Sequence, residues 1–263
     1  MSTVGRNRRF VSGPLHGSGF TLVELLVVTA IIAILATLLL AAISGVKGKA
    51  RRITCTSNLR QINLGVRMYS DDFNDKSPKP ALWTSHPYDA YKKLMKSYVG
   101  LRGKSSEREK LFACPADTFY YDYSLGHYPH SAPLVGYVPE SICARPDFDY
   151  SSYLFNAGNL FGTQKRPSTR PGIGGLSVSS IRHPTRTILV VEVPALIPFS
   201  WHQPKRPISW AKNDFFNNAM NVVSFVDGHV RYIKIYWRTS WPPTSCAGDY
   251  DPPDGYDYQW SGN

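Results

Sequence analysis

The sequence predicts an α+β fold in which a long N-terminal helix packs on an antiparallel β-sheet with extensive loops. Three observations carry this. No proline lies between Pro14 and Pro78, although the chain has 20 prolines in 263 residues, and a long helix is what such a gap accommodates. Within the gap an all-apolar stretch gives way to a one-faced amphipathic pattern. Near the C-terminus two β-rich runs flank Asp227-Gly228, a strong local hairpin signal.

Composition sets the frame. With 43% hydrophobic and 19% charged residues, long intrinsic disorder is excluded. Four cysteines and 20 glycines exclude the disulfide-dense and collagen-like classes. The formal net charge of +11 permits an acidic partner, but no basic run interleaved with aromatics stands out, so no nucleic-acid partner is expected.

The first element begins at Phe20. Of the 27 residues from Phe20 to Val46, 21 are apolar, and between Leu25 and Ile43 the polar side chains are Thr29 and Thr37 alone. At 1.5 Å per residue this core spans roughly 28 Å, close to the hydrocarbon thickness of a bilayer. A cleaved secretory signal fits poorly, because its apolar region is shorter and ends in a small-residue cleavage site. An uncleaved anchor fits better, yet neither explains Glu24, a carboxylate inside the apolar run that is costly to bury without a positive partner.

After Lys47, Lys49, Arg51 and Arg52, which suit lipid head groups at a membrane exit, Ile53, Leu59, Ile62, Val66 and Tyr69 form one apolar stripe. Arg60, Asn63 and Arg67 fall on other faces, so the helix is predicted to run on to about Ser70 with a globular domain against its second half. Gly45 and Gly48 are its weakest interior points. Beyond Asp71, Thr187 to Val193 reads as a buried strand and Ser151 to Phe155 as a shorter one. Asn221 to Val226 and His229 to Tyr236 form the predicted hairpin, with a type I′ turn.

Residues Gly19-Phe20-Thr21-Leu22-Val23-Glu24, after a leader carrying Arg6, Arg8 and Arg9 and before LLVVTAIIAILATLLLAAI, resemble the class III signal of type IV pilins and type II secretion pseudopilins. The resemblance implies cleavage by prepilin peptidase after Gly19 and N-methylation of Phe20. It also implies that Glu24, fifth in the mature chain, pairs with a neighbouring subunit's N-terminal amine during assembly. The counts of basic residues on the two sides of the span do not set its orientation; the cleavage signal does, because the peptidase reads it at the cytoplasmic face.

The hairpin FVDGHV is similar to the end of a processing-associated domain found in a large bacterial group of pilin-like proteins, which carries a histidine ten residues before its final Asp-Gly. Here that position is Asn217, so no role of the histidine is carried over. The segments CTSNLRQINLGVRMYSDD, LFACPAD, SSYLFN and TRTILVVEV are similar to the same group.

The remaining candidates are weaker. Cys55, Cys114, Cys143 and Cys246 lack C-x-x-C spacing, so no zinc site is expected. Outside the cytoplasm they allow two disulfides in three alternative pairings, or stay unpaired. His127, His130, His183, His202 and His229 share no helical ligand spacing and no G-x-S-x-G elbow is present, so no enzymatic activity is expected. Asp249, Asp251, Asp254 and Asp257 could hold Ca²⁺, as a C-terminal loop of some pseudopilins does, but EF-hand spacing is absent and a solvated acidic tail is the simpler reading. No other cofactor is expected.

The organisation that follows is a leader at 1–19, a transmembrane and assembly half-helix at 20–46, an amphipathic half at 47–72 and a periplasmic or extracellular globular domain at 73–263. The resemblance implies a single-pass inner-membrane precursor with a cytoplasmic N-terminus, later drawn into a pseudopilus or related filament. Its implied partners are prepilin peptidase, like subunits and other pseudopilins, the inner-membrane assembly platform, and the lipid bilayer before assembly. The alternatives are a type IV pilus subunit for adhesion or DNA uptake, and a membrane-anchored binding domain that does not polymerise. Loss of the leader would remove three of the 30 basic residues and leave 27 against 19 acidic ones, a net charge of +8.

Overall fold

The computed structural model describes residues 20–79, 87–103, 109–117, 151–158, 170–196, 200–202, 219–236 and 247–263. The chain divides into two compact units, Met1–Gly45 and Val46–Asn263.

The first helix, α1 (Leu22–Asp72), is helical through Gly45 and Gly48. Neither glycine has a neighbour that an added Cβ would meet, and the division between the two units falls at Gly45. In the first unit the large apolar side chains described from Phe20 to Leu40 are exposed, Leu22 at 78% and Leu40 at 68%. The span-length apolar window has no buried residue. A helix that is apolar all round and buries none of its surface needs lipid or other helices around it.

In the second unit α1 buries a broad stripe. Leu59, Ile62, Val66 and Tyr69 lie in the core as predicted. Ile53 does not: it is 67% exposed, and Cys55 opens the stripe instead. Asn58 and Asn63 are also buried, a correction to the placing of Asn63 on an outer face. Their amides find backbone carbonyls, Asn58 that of Lys110 at 3.1 Å and Asn63 that of Phe225 at 2.7 Å. A polar group paired in this way can be buried without the usual penalty. Gly65 permits close approach, since a Cβ there would lie 2.7 Å from Val99 Cγ1.

A short second helix, α2 (Pro87–Met95), is followed by a 3₁₀ turn (Lys96–Val99). The sheet comprises β1 (Tyr153–Phe155), β2 (Ile188–Glu192), β3 (Ala219–Phe225) and β4 (Val230–Ile235). It is antiparallel throughout in the order β1-β2-β3-β4. All five residues of β2 are buried; the apolar run Ile188 to Val191 suits a strand covered on both faces, and Glu192 is buried at its end.

One face of the sheet shares a core with α1 and α2, including Leu59, Ile62, Tyr91, Phe112, Tyr153 and Val222. The other face is covered by the C-terminal segment, where Tyr258 and Trp260 join Leu154, Val191, Val223 and Phe225. Within the acidic run itself Asp251, Asp254 and Asp257 are exposed, whereas Tyr258 and Trp260 just beyond it are core, and Gln259 bridges Thr187 in parallel.

The hairpin forms, but its turn differs. Gly228 N–H donates to Phe225 O at 3.0 Å and Phe225 N–H to His229 O at 3.0 Å. Gly228 has φ 102°, whereas the positive-φ non-glycine residues described are Asn74 and Asp75. A type I′ turn needs positive φ at both central positions; the observed loop is a three-residue turn in which glycine alone takes it.

Candidate functional site

The segment that begins α1 is built around Thr21 and Glu24. Glu24 N–H donates to Thr21 Oγ1 at 3.2 Å, while Thr21 N–H donates back to Glu24 Oε2 at 2.9 Å and its hydroxyl does so at 2.8 Å. This is a capping box: a threonine at the N-cap and a glutamate three residues on satisfy each other's orphan groups. It supplies a local role for Glu24 that the apolar context alone did not suggest. The anion also sits in the first turn of α1, where the helix dipole favours negative charge. Thr29 and Thr37 donate their hydroxyls to Leu26 O and Ile34 O at 3.0 and 2.8 Å, so the polar side chains of the apolar stretch satisfy themselves on the helix. Phe20 is exposed beside Thr21, and Gly19 lies outside the described residues.

Downstream, Lys47, Lys49 and Arg51 are exposed. Arg52 differs, its guanidinium lying 4.7 Å from the centre of the Tyr232 ring, so one member of the basic cluster anchors α1 to β4 by a cation–π contact.

The tail carboxylates are engaged separately. Asp249 pairs with Arg170 at 2.9 Å. Asp251 accepts from Trp260 N–H and Ser261 N–H, and Asp257 pairs with Arg231 and, at 3.6 Å, with Arg186. Arg231 holds the Asp257 carboxyl below the ordinary range. Asp254 is exposed. Asp75 behaves in the same manner, since donors from Ser177 and Ser179 hold its carboxyl down to about 2.

Of the histidines, His127 and His130 lie outside the described residues, as do Cys143, Cys246 and Asn217. The backbone carbonyl of His183 closes a turn by accepting from Arg186 and Thr187 N–H groups. His229 stacks on Phe225 with ring centres 4.3 Å apart and bonds Asp227 Oδ1, a turn-stabilising arrangement.

His202 is different, and sequence spacing did not single it out. Its Nε2 lies 2.8 Å from Glu192 Oε1, and Glu192 is wholly buried at the end of β2. Beside them Cys55 of α1 and Cys114 form a disulfide, one of the pairings that the sequence left open. Glu192 Oε2 accepts Val222 N–H at 2.8 Å. Burial, reinforced by the Glu192 carboxylate, pushes the Tyr153 phenol well above its ordinary value. Elsewhere in the core Glu109 bridges Lys92 and Lys96 at 2.8 and 2.7 Å, a buried ionic trio that polarity alone would have placed on the surface.

Comparison with curated proteins returns no match, and neither does comparison with solved structures. Residues 16–40 match the family described as the prokaryotic N-terminal methylation motif. That match supports a type IV pilin-like prepilin signal, processing by prepilin peptidase and an inner-membrane anchor, and it covers the segment in which the capping box sits.

Proposed function

We propose that the chain is a structural subunit of a type II secretion pseudopilus or related type IV pilus-like filament, not an enzyme. It is made as a prepilin with its N-terminus in the cytoplasm and its globular domain in the periplasm. Prepilin peptidase cuts between Gly19 and Phe20 and methylates the Phe20 amine. The inner-membrane assembly platform then draws the helix from the bilayer into a bundle of like subunits.

The observation that carries this reading is the methylation motif at the head of a helix whose apolar side chains are all exposed between Phe20 and Leu40 where described. Such a surface is stable in lipid before assembly and against neighbouring helices after it. Glu24 adds direction. Its Oε2 caps its own helix, and a carboxylate in an apolar setting attracts the cationic Phe20 amine of the next subunit strongly, because little solvent screens the pair. The pairing selects one register among the many that an apolar helix permits.

Glu24→Ala, in cells that make the assembly machinery, tests this role. Cleavage and membrane insertion continue, and recovery of sheared filaments falls to background. Normal filaments from the variant would refute the assigned role of Glu24.

A further inference from the structure

The buried cluster beneath β2 has more donor atoms than a structural disulfide needs. One ligand atom from each of Cys55, Cys114, Glu192 and His202 lies within 4.8 Å of all the others. Cys114 Sγ is 3.5 Å from Glu192 Oε1 and 3.8 Å from His202 Nε2. The Glu192 and His202 side chains are 0% and 2% exposed, and both cysteines are fully buried. The donors come from α1, the loop after Phe112, the end of β2 and the segment at His202, which is why cysteine spacing along the sequence does not reveal them.

We propose that this cluster binds one Zn²⁺ when Cys55 and Cys114 are thiols, through the two sulfurs, Glu192 Oε1 and His202 Nε2. Two thiolates, an imidazole and a carboxylate form a four-coordinate set of the type zinc takes. Val222 N–H on Glu192 Oε2 is the outer hydrogen bond that orients a ligating carboxylate. The sulfurs separate to about 3.8 Å, the edge of a tetrahedron with zinc–sulfur bonds near 2.3 Å. On binding, two zinc–sulfur bonds form and the two thiol protons leave to solvent.

Metal and disulfide are then alternative closures of the same link between α1 and the sheet. A disulfide-carrying oxidoreductase converts one into the other. The Cys55–Cys114 bond forms, the two electrons reduce the oxidoreductase's disulfide, its two sulfurs take protons from solvent, and Zn²⁺ is released. A chain awaiting oxidation thus has its core clipped by metal, and the oxidised chain has it clipped covalently.

The test is titration of the full chain in detergent, reduced and oxidised, with Zn²⁺ by competition against a chromophoric chelator and with Co²⁺ by absorption. The reduced chain takes up one equivalent, Co²⁺ gives thiolate charge-transfer and tetrahedral d–d bands, and the oxidised chain binds none. His202→Ala and Glu192→Gln weaken zinc binding to the reduced chain by at least about 10–100-fold. Near-ultraviolet circular dichroism covers the case in which reduction unfolds the domain, and zinc should then restore the signal. No stoichiometric uptake by the folded reduced chain, no restoration of the unfolded one, or full affinity in His202→Ala would each overturn the proposal.

Discussion

The two halves of α1 obey opposite rules although they belong to one helix. Leu38, in the first unit, is 66% exposed, whereas Leu59, in the second, is wholly buried. Among the described side chains, the first half satisfies its polar atoms within itself, through the Thr21–Glu24 box and the hydroxyls of Thr29 and Thr37. The second half reaches outward, through the Cys55 disulfide, the Asn58 and Asn63 amides and Arg52 over Tyr232. A helix segment without outward bonds can change its surroundings from lipid to protein without rebuilding any. A segment with many fixes the domain it belongs to.

The contrast is broken most severely by truncating matched leucines. Leu59→Ala should lower the unfolding free energy of the globular unit by about 2–5 kcal/mol, the range for a cavity in a packed core. Leu38→Ala should change the same quantity by less than about 0.5 kcal/mol. Chemical denaturation of both variants in detergent checks the pair, and equal losses would show that the two halves do not differ as described.

A smaller effect is expected at Asn63. Replacement by Ala removes the Asn63 amide bond to the Phe225 carbonyl, which keeps its bond from Gly228 N–H, and should cost about 0.5–1.5 kcal/mol, again in the globular unit alone. Hydrogen exchange of the β3–β4 hairpin would locate the loss.

The mildest effect depends on pH. Asp75 is held down to about 2 by Ser177 and Ser179, below its unfolded value near 3.9. Its contribution is therefore present above that unfolded value and is lost as pH falls from about 4 through about 2. An acid titration of Asp75→Asn should show a shallower loss of stability over this window than the parent. Parallel curves would remove Asp75 from the account.

Much of this arrangement was legible in the sequence. The long helix, β2 and the hairpin declare themselves through period and turn residues, signals local to the segments that carry them. What sequence hid is tertiary. Apolarity points Ile53 to the core and polarity points Asn63 to the surface, but partners across the fold decide burial. The acidic residues near the C-terminus masked Tyr258 and Trp260, which cover the second face of the sheet. The Asp-Gly pair alone implies a type I′ turn, but the pairing of Phe225 with His229 sets a three-residue loop instead. Of the candidate assembly segment, the motif was plain in the residues, and the capping use of Glu24 follows from a threonine three positions earlier. The four-donor cluster was invisible because its members lie 59, 78 and 10 residues apart along the chain.

The central claim is that the apolar half of α1 is a processed assembly element. It is tested most directly by intact and peptide mass analysis of membrane fractions from cells with and without prepilin peptidase. With the peptidase, the chain should lack residues 1–19 and its first peptide should begin at Phe20 with one added methyl group; without it, the leader should remain. An intact leader in peptidase-positive cells would contradict the account.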